Sequence, residues 1–282
     1  MTTKQANSIV LLIFGGYIIY RIIKPVDPTD SIGSLFLNIS IEMACGILLL
    51  GLLNILQNIK KIWLLFQTRL LLRNKEIRLS LAYVYRIKIN GKYLLIKSRT
   101  RDYFQPIGGV YKTLPGSKDI FDKLHVRSDR LIETDHGIAK GDLRVYVKGI
   151  NVIDFLDWYD SRKDRETSPW REFCEELIST GFLPWKEFRY IDYEFKGRVE
   201  TPIISLDSGD KGMFMYDVFD LIPNDEQLPI LEKKLSEGNT SDYLWTDEYL
   251  INRLGHNEST KQYECHLSPH TKWAQNLKWS KD

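Results

Sequence analysis

Hydrophobic positions fall into two regimes along the chain. Up to about residue 80 they form long unbroken runs; beyond it they alternate with polar ones. Ser8–Ile23 is apolar apart from Arg21, with Gly15-Gly16 at its middle. As a helix rising about 1.5 Å per residue it spans roughly 24 Å, somewhat short of a hydrocarbon core of ~30 Å. Arg21 lies near the end of the run, where its stem can snorkel to the interface. No small-x-small cleavage pattern follows, so the run reads as a span rather than a signal peptide. Pro25-Val26-Asp27-Pro28-Thr29-Asp30 breaks the helix, and Leu35–Ile55 is a second run of spanning length. The pattern predicts a two-helix transmembrane hairpin. Past it come Lys60, Lys61, Arg69, Arg73, Lys75 and Arg78 against the single acid Glu76. This positive flank places both termini in the cytoplasm and the 25–33 turn outside. Trp63 and Phe66 suit the interface, and a helix is expected to continue from Ile55 through Leu72.

One residue of the second run is costly. An acid within a span costs about 2–3 kcal/mol, less away from the centre, and Glu42 lies seven residues past Leu35. Asn38 is one turn before it and Gly46 one turn after. A polar stripe beside a small residue marks Asn38, Glu42 and Gly46 as an association surface between hairpins. Protonation or snorkelling of Glu42 accounts for the same pattern without association.

From Arg78 onward the period is two. Tyr83–Asn90, Gly91 and Lys92–Ser98 read as strand, turn and strand. Phe188–Phe195, Pro202–Leu206 and Met213–Leu221 alternate as strands, and Ser241–Leu254 holds a strand with Trp245 and a helix beginning near Asp247. Within 113–168, Asp142–Val147 reads as a strand and Val152–Tyr159 as a helix. That insert is too ordered for a linker and is expected to fold over one edge of the sheet. The segment with Trp273 and Trp279 is too aromatic for a free tail.

Pro169–Leu177 reads as a helix start, with Pro169 in the first turn and Thr167 or Ser168 as cap. Helical spacing then puts Glu172, Glu175 and Glu176 along one side, with Phe173 and Leu177 on another. Crowded carboxylates need a positive charge among them, which magnesium or Arg171 would supply. A solvated acidic face is the alternative. The net charge of +2 argues against a general nucleic-acid binder, so neither DNA nor RNA is an expected partner. Cys45, Cys174 and Cys265 are far apart with no CxxC pair, which points to a reducing compartment. Cys265-His266 with His270 reads either as a fragment of a metal site or as a packing cluster.

The run Arg171-Glu172-Phe173-Cys174-Glu175-Glu176 resembles the second half of the Nudix box. Phe104-Gln105-Pro106-Ile107-Gly108-Gly109 resembles the entry to that box, Tyr83–Ser98 the family's opening hairpin, and Asp242-Tyr243-Leu244-Trp245 its late strand. The resemblance implies an α+β fold: a Nudix-like α/β/α sandwich with a mixed sheet, here carrying a long insertion. It implies that Glu172, Glu175 and Glu176 hold metal if the chemistry is retained. It also implies that Lys97–Phe104 meets a nucleotide, with Arg99 and Arg101 donating to phosphate and Tyr103 and Phe104 offering faces to a base. The departures are as clear. Between Gly109 and Arg171 lie 61 residues, far more than the box allows. Its first glutamate falls on Lys163 counting back from Arg171, and on Pro115 counting forward from Gly109.

The order of spans, hairpin, paired glycines, insert and Arg-Glu-x-x-Glu-Glu resembles the SMODS-associated NUDIX domain proteins, effectors of bacterial CBASS antiphage systems. The resemblance implies a hairpin with a juxtamembrane helix over 1–79, and a cytoplasmic domain over 80–282 with its insert at about 113–168. It implies a cyclic oligonucleotide, made by a CD-NTase partner, as ligand. It further implies homo-oligomerisation on activation and disruption of inner-membrane lipid in abortive infection. No cofactor is required on this reading, with magnesium possible at the degenerate box. The rival is a membrane-anchored, magnesium-dependent Nudix hydrolase acting on a nucleotide or pyrophosphate.

Overall fold

A computed structural model describes Tyr20, Lys24, residues 31–132 and residues 139–280. The chain divides into two compact units, Met1–Phe66 and Gln67–Asp282. The division falls earlier than the expected boundary near residue 80, because Gln67–Lys75 already belongs to the second unit's packing.

In the first unit the second apolar run forms helix α1 (Ser31–Gln57), followed by α2 (Ile59–Phe66). The first run, Ser8–Ile23, lies outside the described residues except for Tyr20. Leucines on several sides of α1 are open, with Leu48 and Leu50 each 67% exposed. The continuous helix expected through Leu72 is interrupted at Asn58. Its side-chain amide donates to the Asn54 carbonyl and to Asn54 Oδ1, both at 2.8 Å. Among the described residues no single helix is long and apolar enough to cross a membrane. Ile41–Gln57 and Ile59–Leu71 meet that measure only as a bent pair, turned by 68°. In α2, Ile59, Ile62, Trp63 and Phe66 share one side and Lys60 and Lys61 the other; the Trp63 and Phe66 rings stack at 5.5 Å.

The second unit is built on β1 (Glu76–Arg86), buried without interruption from Ile77 to Tyr85. Such a strand is covered on both faces and needs apolar residues at successive positions. On one edge it pairs in parallel with β10 (Lys211–Ile222), Ile77 opposite Lys211. The other edge is shared. β7 (Arg144–Lys148) takes residues 76–80, and β5 (Ile107–Val110) takes 82–85, both antiparallel. β6 (Arg127–Ser128) extends the sheet beyond β7, and β8 (Asp192–Glu200) with β9 (Ile204–Ser205) extends it beyond β10. The insert thus adds β6 and β7 to one edge, as expected, together with α3 (Lys118–Leu124) and α4 (Gly149–Asp160).

The sheet is covered on both faces. Tyr83 and Tyr85 of β1 meet Tyr111 and Phe173, so one face carries α5 (Trp170–Phe173). On the other, Tyr216 meets His270 and Trp273 of α9 (Pro269–Asn276). α6 (Trp185–Phe188) precedes β8, so the alternation counted from Phe188 begins instead at Asp192, and Phe188 is a buried helix-end residue. A smaller sheet joins β2 (Lys88–Ile89), β3 (Lys92–Lys97), β4 (Phe104–Gln105) and β11 (Tyr243–Asp247), with the expected hairpin turn at Asn90-Gly91. α7 (Gln227–Glu237) precedes β11 and α8 (Glu248–Asn252) follows it. The Asp247 side chain caps α8 by accepting from Leu250 N at 3.0 Å. A short ribbon, β12 (His256–Asn257) with β13 (Gln262–Tyr263), leads to α9.

One buried acid ties the insert to the sheet. Asp217 of β10 accepts from Tyr111 Oη at 2.9 Å, Tyr159 Oη at 3.2 Å and Arg198 Nε at 2.6 Å. Tyr159 belongs to α4 and Arg198 to β8, and the Arg165 guanidinium lies 3.9 Å over the Tyr159 ring. Removing the acid leaves a cation and two phenols without their shared acceptor. Asp217→Ala is expected to cost about 3–5 kcal/mol, lowering the melting temperature of the purified chain by roughly 10 °C; a change within one degree would contradict this role.

Candidate functional site

The paired glycines and the glutamate run meet at the β5 edge of β1. Gly108 has φ +146°, and a Cβ there would lie 2.2 Å from the Tyr83 carbonyl oxygen; only glycine lets the two backbones come so close. A Cβ on Gly109 would lie 2.1 Å from Glu172 Oε1, so its bare face seats that carboxylate. Gly108 N–H points to the helix side and donates to Glu176 Oε2 at 2.8 Å. Glu172 N donates to Tyr83 Oη at 3.3 Å.

Arg171 is the hub. Its Nη2 donates to the Val110 carbonyl at 2.8 Å and its Nη1 to Glu172 Oε1 at 2.6 Å. Its Nε reaches Glu166 Oε1 at 3.1 Å, and Glu175 Oε1 stands 3.5 Å from Nη1. Glu166 is the residue that register counting missed. It stands five residues before Arg171, and its place is fixed from the insert's other end. Glu166 N donates to the Lys112 carbonyl at 2.8 Å and Lys112 N to Glu166 Oε2 at 3.1 Å. Glu166 thus gives Arg171 a carboxylate partner that neither Lys163 nor Pro115 could be. The only signal in the sequence was an acid close ahead of Arg171.

The three carboxylates end in different surroundings. Pro169 precedes α5, and Ser168 Oγ accepts from Trp170 N at 3.3 Å. Cys174–Ile178 then forms a π turn, which widens the spiral and rotates the later positions. Glu176 is buried, Glu172 turns onto Arg171, and Glu175 stays 39% exposed at its side chain. Burial pushes the Glu176 carboxyl up to about 8, and the Glu172 charge adds to that; Gly108 N–H and Arg99 oppose it. Burial also raises Glu172, against the pull of Arg171.

These positions do not fit a shared magnesium ion. Arg171 and a backbone N–H already engage Glu172 and Glu176. Among the described residues, no group of three or more His, Cys, Asp or Glu side chains could hold a metal. The Cys265, His266 and His270 cluster is packing. His270 lies between Tyr216 and Trp273, with ring centres 4.9 and 5.2 Å away, and His266 stacks on Tyr263. Burial, helped by the Arg101 charge, holds the His270 ring down to about 4.

Of the residues expected to meet a nucleotide, Arg99, Arg101 and Tyr103 lie on the loop between β3 and β4. Arg99 is exposed and its charge reaches Glu176. Arg101, also exposed, acts on His270, and the half-buried Tyr103 acts on Tyr216. Phe104, half-buried, packs against the cluster of Tyr93, Leu95, Ile251 and Leu267 and lies under Lys97 Nζ at 5.1 Å. In the first unit Glu42 and Gly46 are exposed, and the Asn38 side chain lies outside the described residues.

Residues 76–275 match the family model of the SMODS-associated NUDIX domain. No curated protein matches the chain.

Glu176 supplies a test of this packing. A carboxyl raised above its unfolded value stabilises the fold fully below the unfolded value of about 4.5, and that contribution is lost as pH rises through about 8. The wild-type melting temperature is expected to fall across that window. Glu176→Gln, which never ionises, should flatten the fall and melt about 5 °C higher at the alkaline end. Parallel melting curves for the two proteins would show that the acid is not buried as described.

Proposed function

The chain belongs to the SMODS-associated NUDIX domain family, and from that premise we propose that it is a membrane effector of a CBASS antiphage system whose Nudix-like domain senses a cyclic oligonucleotide. The observation that carries this reading is the internal pairing of the glutamate run. Glu166, Glu172 and Glu175 surround Arg171, and Glu176 holds Gly108 N–H. Carboxylates engaged in this way frame a rigid edge rather than an open metal cup, which favours binding over turnover. Arg99 and Arg101, exposed on the loop between β3 and β4, supply planar donors for the ligand's phosphates, and Tyr103 beside them supplies a face for a base. Purified chain is expected to bind a cyclic di- or trinucleotide in calorimetry without consuming it. Arg99→Ala and Arg101→Ala should each weaken binding about tenfold or more, the loss of one charge-assisted contact. Magnesium-dependent hydrolysis of nucleoside diphosphate derivatives, abolished by Glu175→Gln, would favour the hydrolase instead.

The first unit carries the output. What supports a membrane location is α1, mostly apolar with its leucines exposed; such a helix needs an apolar solvent or partners. Ligand binding favours an assembled state of the hairpins, because a receptor without turnover acts only through an equilibrium. Asn38, Glu42 and Gly46 form the associating stripe, and its polar groups, gathered in several copies, open a wet defect in inner-membrane lipid. In cells supplied with the cyclic nucleotide, Glu42→Leu is expected to insert and bind normally but to lose depolarisation and crosslinking between copies. Wild-type depolarisation by both Glu42→Leu and Gly46→Leu would reduce the hairpin to an anchor.

A further inference from the structure

Apart from the glutamate edge, the second unit has a strongly basic cleft of about 550 Å³ where β1 begins. Its walls carry Lys75, Arg127, Arg130, Lys148 and Lys211 against two carboxylates, Glu76 and Asp210, a formal excess of three positive charges. The carboxylates are spent on the arginines. Glu76 is shared by Arg127 at 3.0 Å and Arg130 at 2.9 Å, and Asp210 meets Arg130 at 3.4 Å and the Tyr146 hydroxyl at 2.6 Å. Arg130 is held in place over the Tyr146 ring at 4.0 Å. Lys211 donates to Ser205 Oγ at 2.7 Å. Among the described residues Lys75 and Lys148 have no carboxylate partner. A concave surface so charged recruits an anion with several acceptor oxygens.

A second observation decides which kind of anion. Apolar side chains stand in water on the segments that supply the cleft. Leu131 and Ile132, directly after Arg130, are 49% and 41% exposed; Leu70 and Leu71, directly before the cleft residue Leu72, are 65% and 62% exposed. A soluble phosphate would leave all four in water. A bilayer surface takes both features at once, cations at the headgroup phosphates and apolar tips at the acyl boundary. We infer that the second unit docks on anionic phospholipid, with a headgroup phosphate in this cleft and Leu70, Leu71, Leu131 and Ile132 at the acyl boundary. The inference builds on the membrane location proposed above and adds a second contact, one that depends on lipid charge.

The full chain in nanodiscs of phosphatidylcholine, with or without phosphatidylglycerol, tests it by hydrogen exchange. Amides in 70–76 and 127–132 are expected to exchange at least about tenfold more slowly when phosphatidylglycerol is present. Lys75→Glu with Lys148→Glu should erase that difference without changing the melting temperature, and Leu131→Ser with Ile132→Ser should reduce it. Equal exchange in both lipids would overturn the inference. So would equal slowing by pyrophosphate in phosphatidylcholine alone, which would mark a soluble-phosphate site. Extraction of the chain from both lipids by alkaline carbonate would sink the transmembrane reading separately, since lipid-dependent exchange is read independently of it.

Discussion

The Nudix-like edge depends on one guanidinium. Arg171 joins the end of a long insert through Glu166, its own helix α5 through Glu172, the turn after it through Glu175, and the edge strand β5 through the Val110 carbonyl. Closing a loop of that length carries an entropy cost that grows only slowly with residue number. The tolerance for the insert therefore comes from its ends being pinned. Glu166 N donates to the Lys112 carbonyl while Lys112 N donates to the Glu166 carboxylate, Leu114 N donates to the Asp164 carbonyl at 2.9 Å, and Thr113 bridges Arg165. The insert begins and ends as a short ladder, and Arg171 locks that ladder to the sheet.

Asp217 performs the matching task within the core. It gathers phenols from the start and the helix of the insert and a cation from β8 onto the strand next to β1. Burial raises the Tyr111 and Tyr159 phenols well above the ordinary range, and the Asp217 charge adds to it, so both remain donors. The insert is consequently part of the domain's core and not an appendage.

The parts of the fold that were legible in the sequence are those set by local pattern. The β2–β3 hairpin, the Trp245 strand with its helix at Asp247, and β7 with α4 all follow from alternation, turn residues and caps. The parts that were not legible are set by tertiary closure. Glu166 could not be counted into register because the distance that matters runs through the Lys112 ladder. The π turn over Cys174–Ile178 accompanies the reach of Glu176 to Gly108 N–H, a contact no spacing rule contains. Phe104 resembles a base platform because an aromatic beside arginines does, and its packing against the cluster of Leu267 and Ile251 is a partnership the sequence does not show. Asn58 follows an apolar run whose composition favours helix, and no spacing rule marks the bend there. For the site, residue types were legible and partnerships were not.

Gly149 bears on how the second unit holds its own first residues. Its N–H donates to the Lys75 carbonyl, Ile150 N donates to the Arg73 carbonyl, and a Cβ at Gly149 would sit 2.1 Å from the Leu72 carbonyl oxygen. Thr68 is fully buried in the same seat, and Arg69 meets Asp154 at 3.0 Å. The chain thus enters this unit as a splined shaft enters its hub, gripped along several residues and unable to spin freely. Torque applied at Gln67 is delivered to the N-terminus of α4, while a force along the chain is carried by the backbone hydrogen bonds in parallel. The bare α-carbon of one residue sets the closeness of that fit, so the stiffness of the coupling is a property of the insert and not of the strand the chain enters.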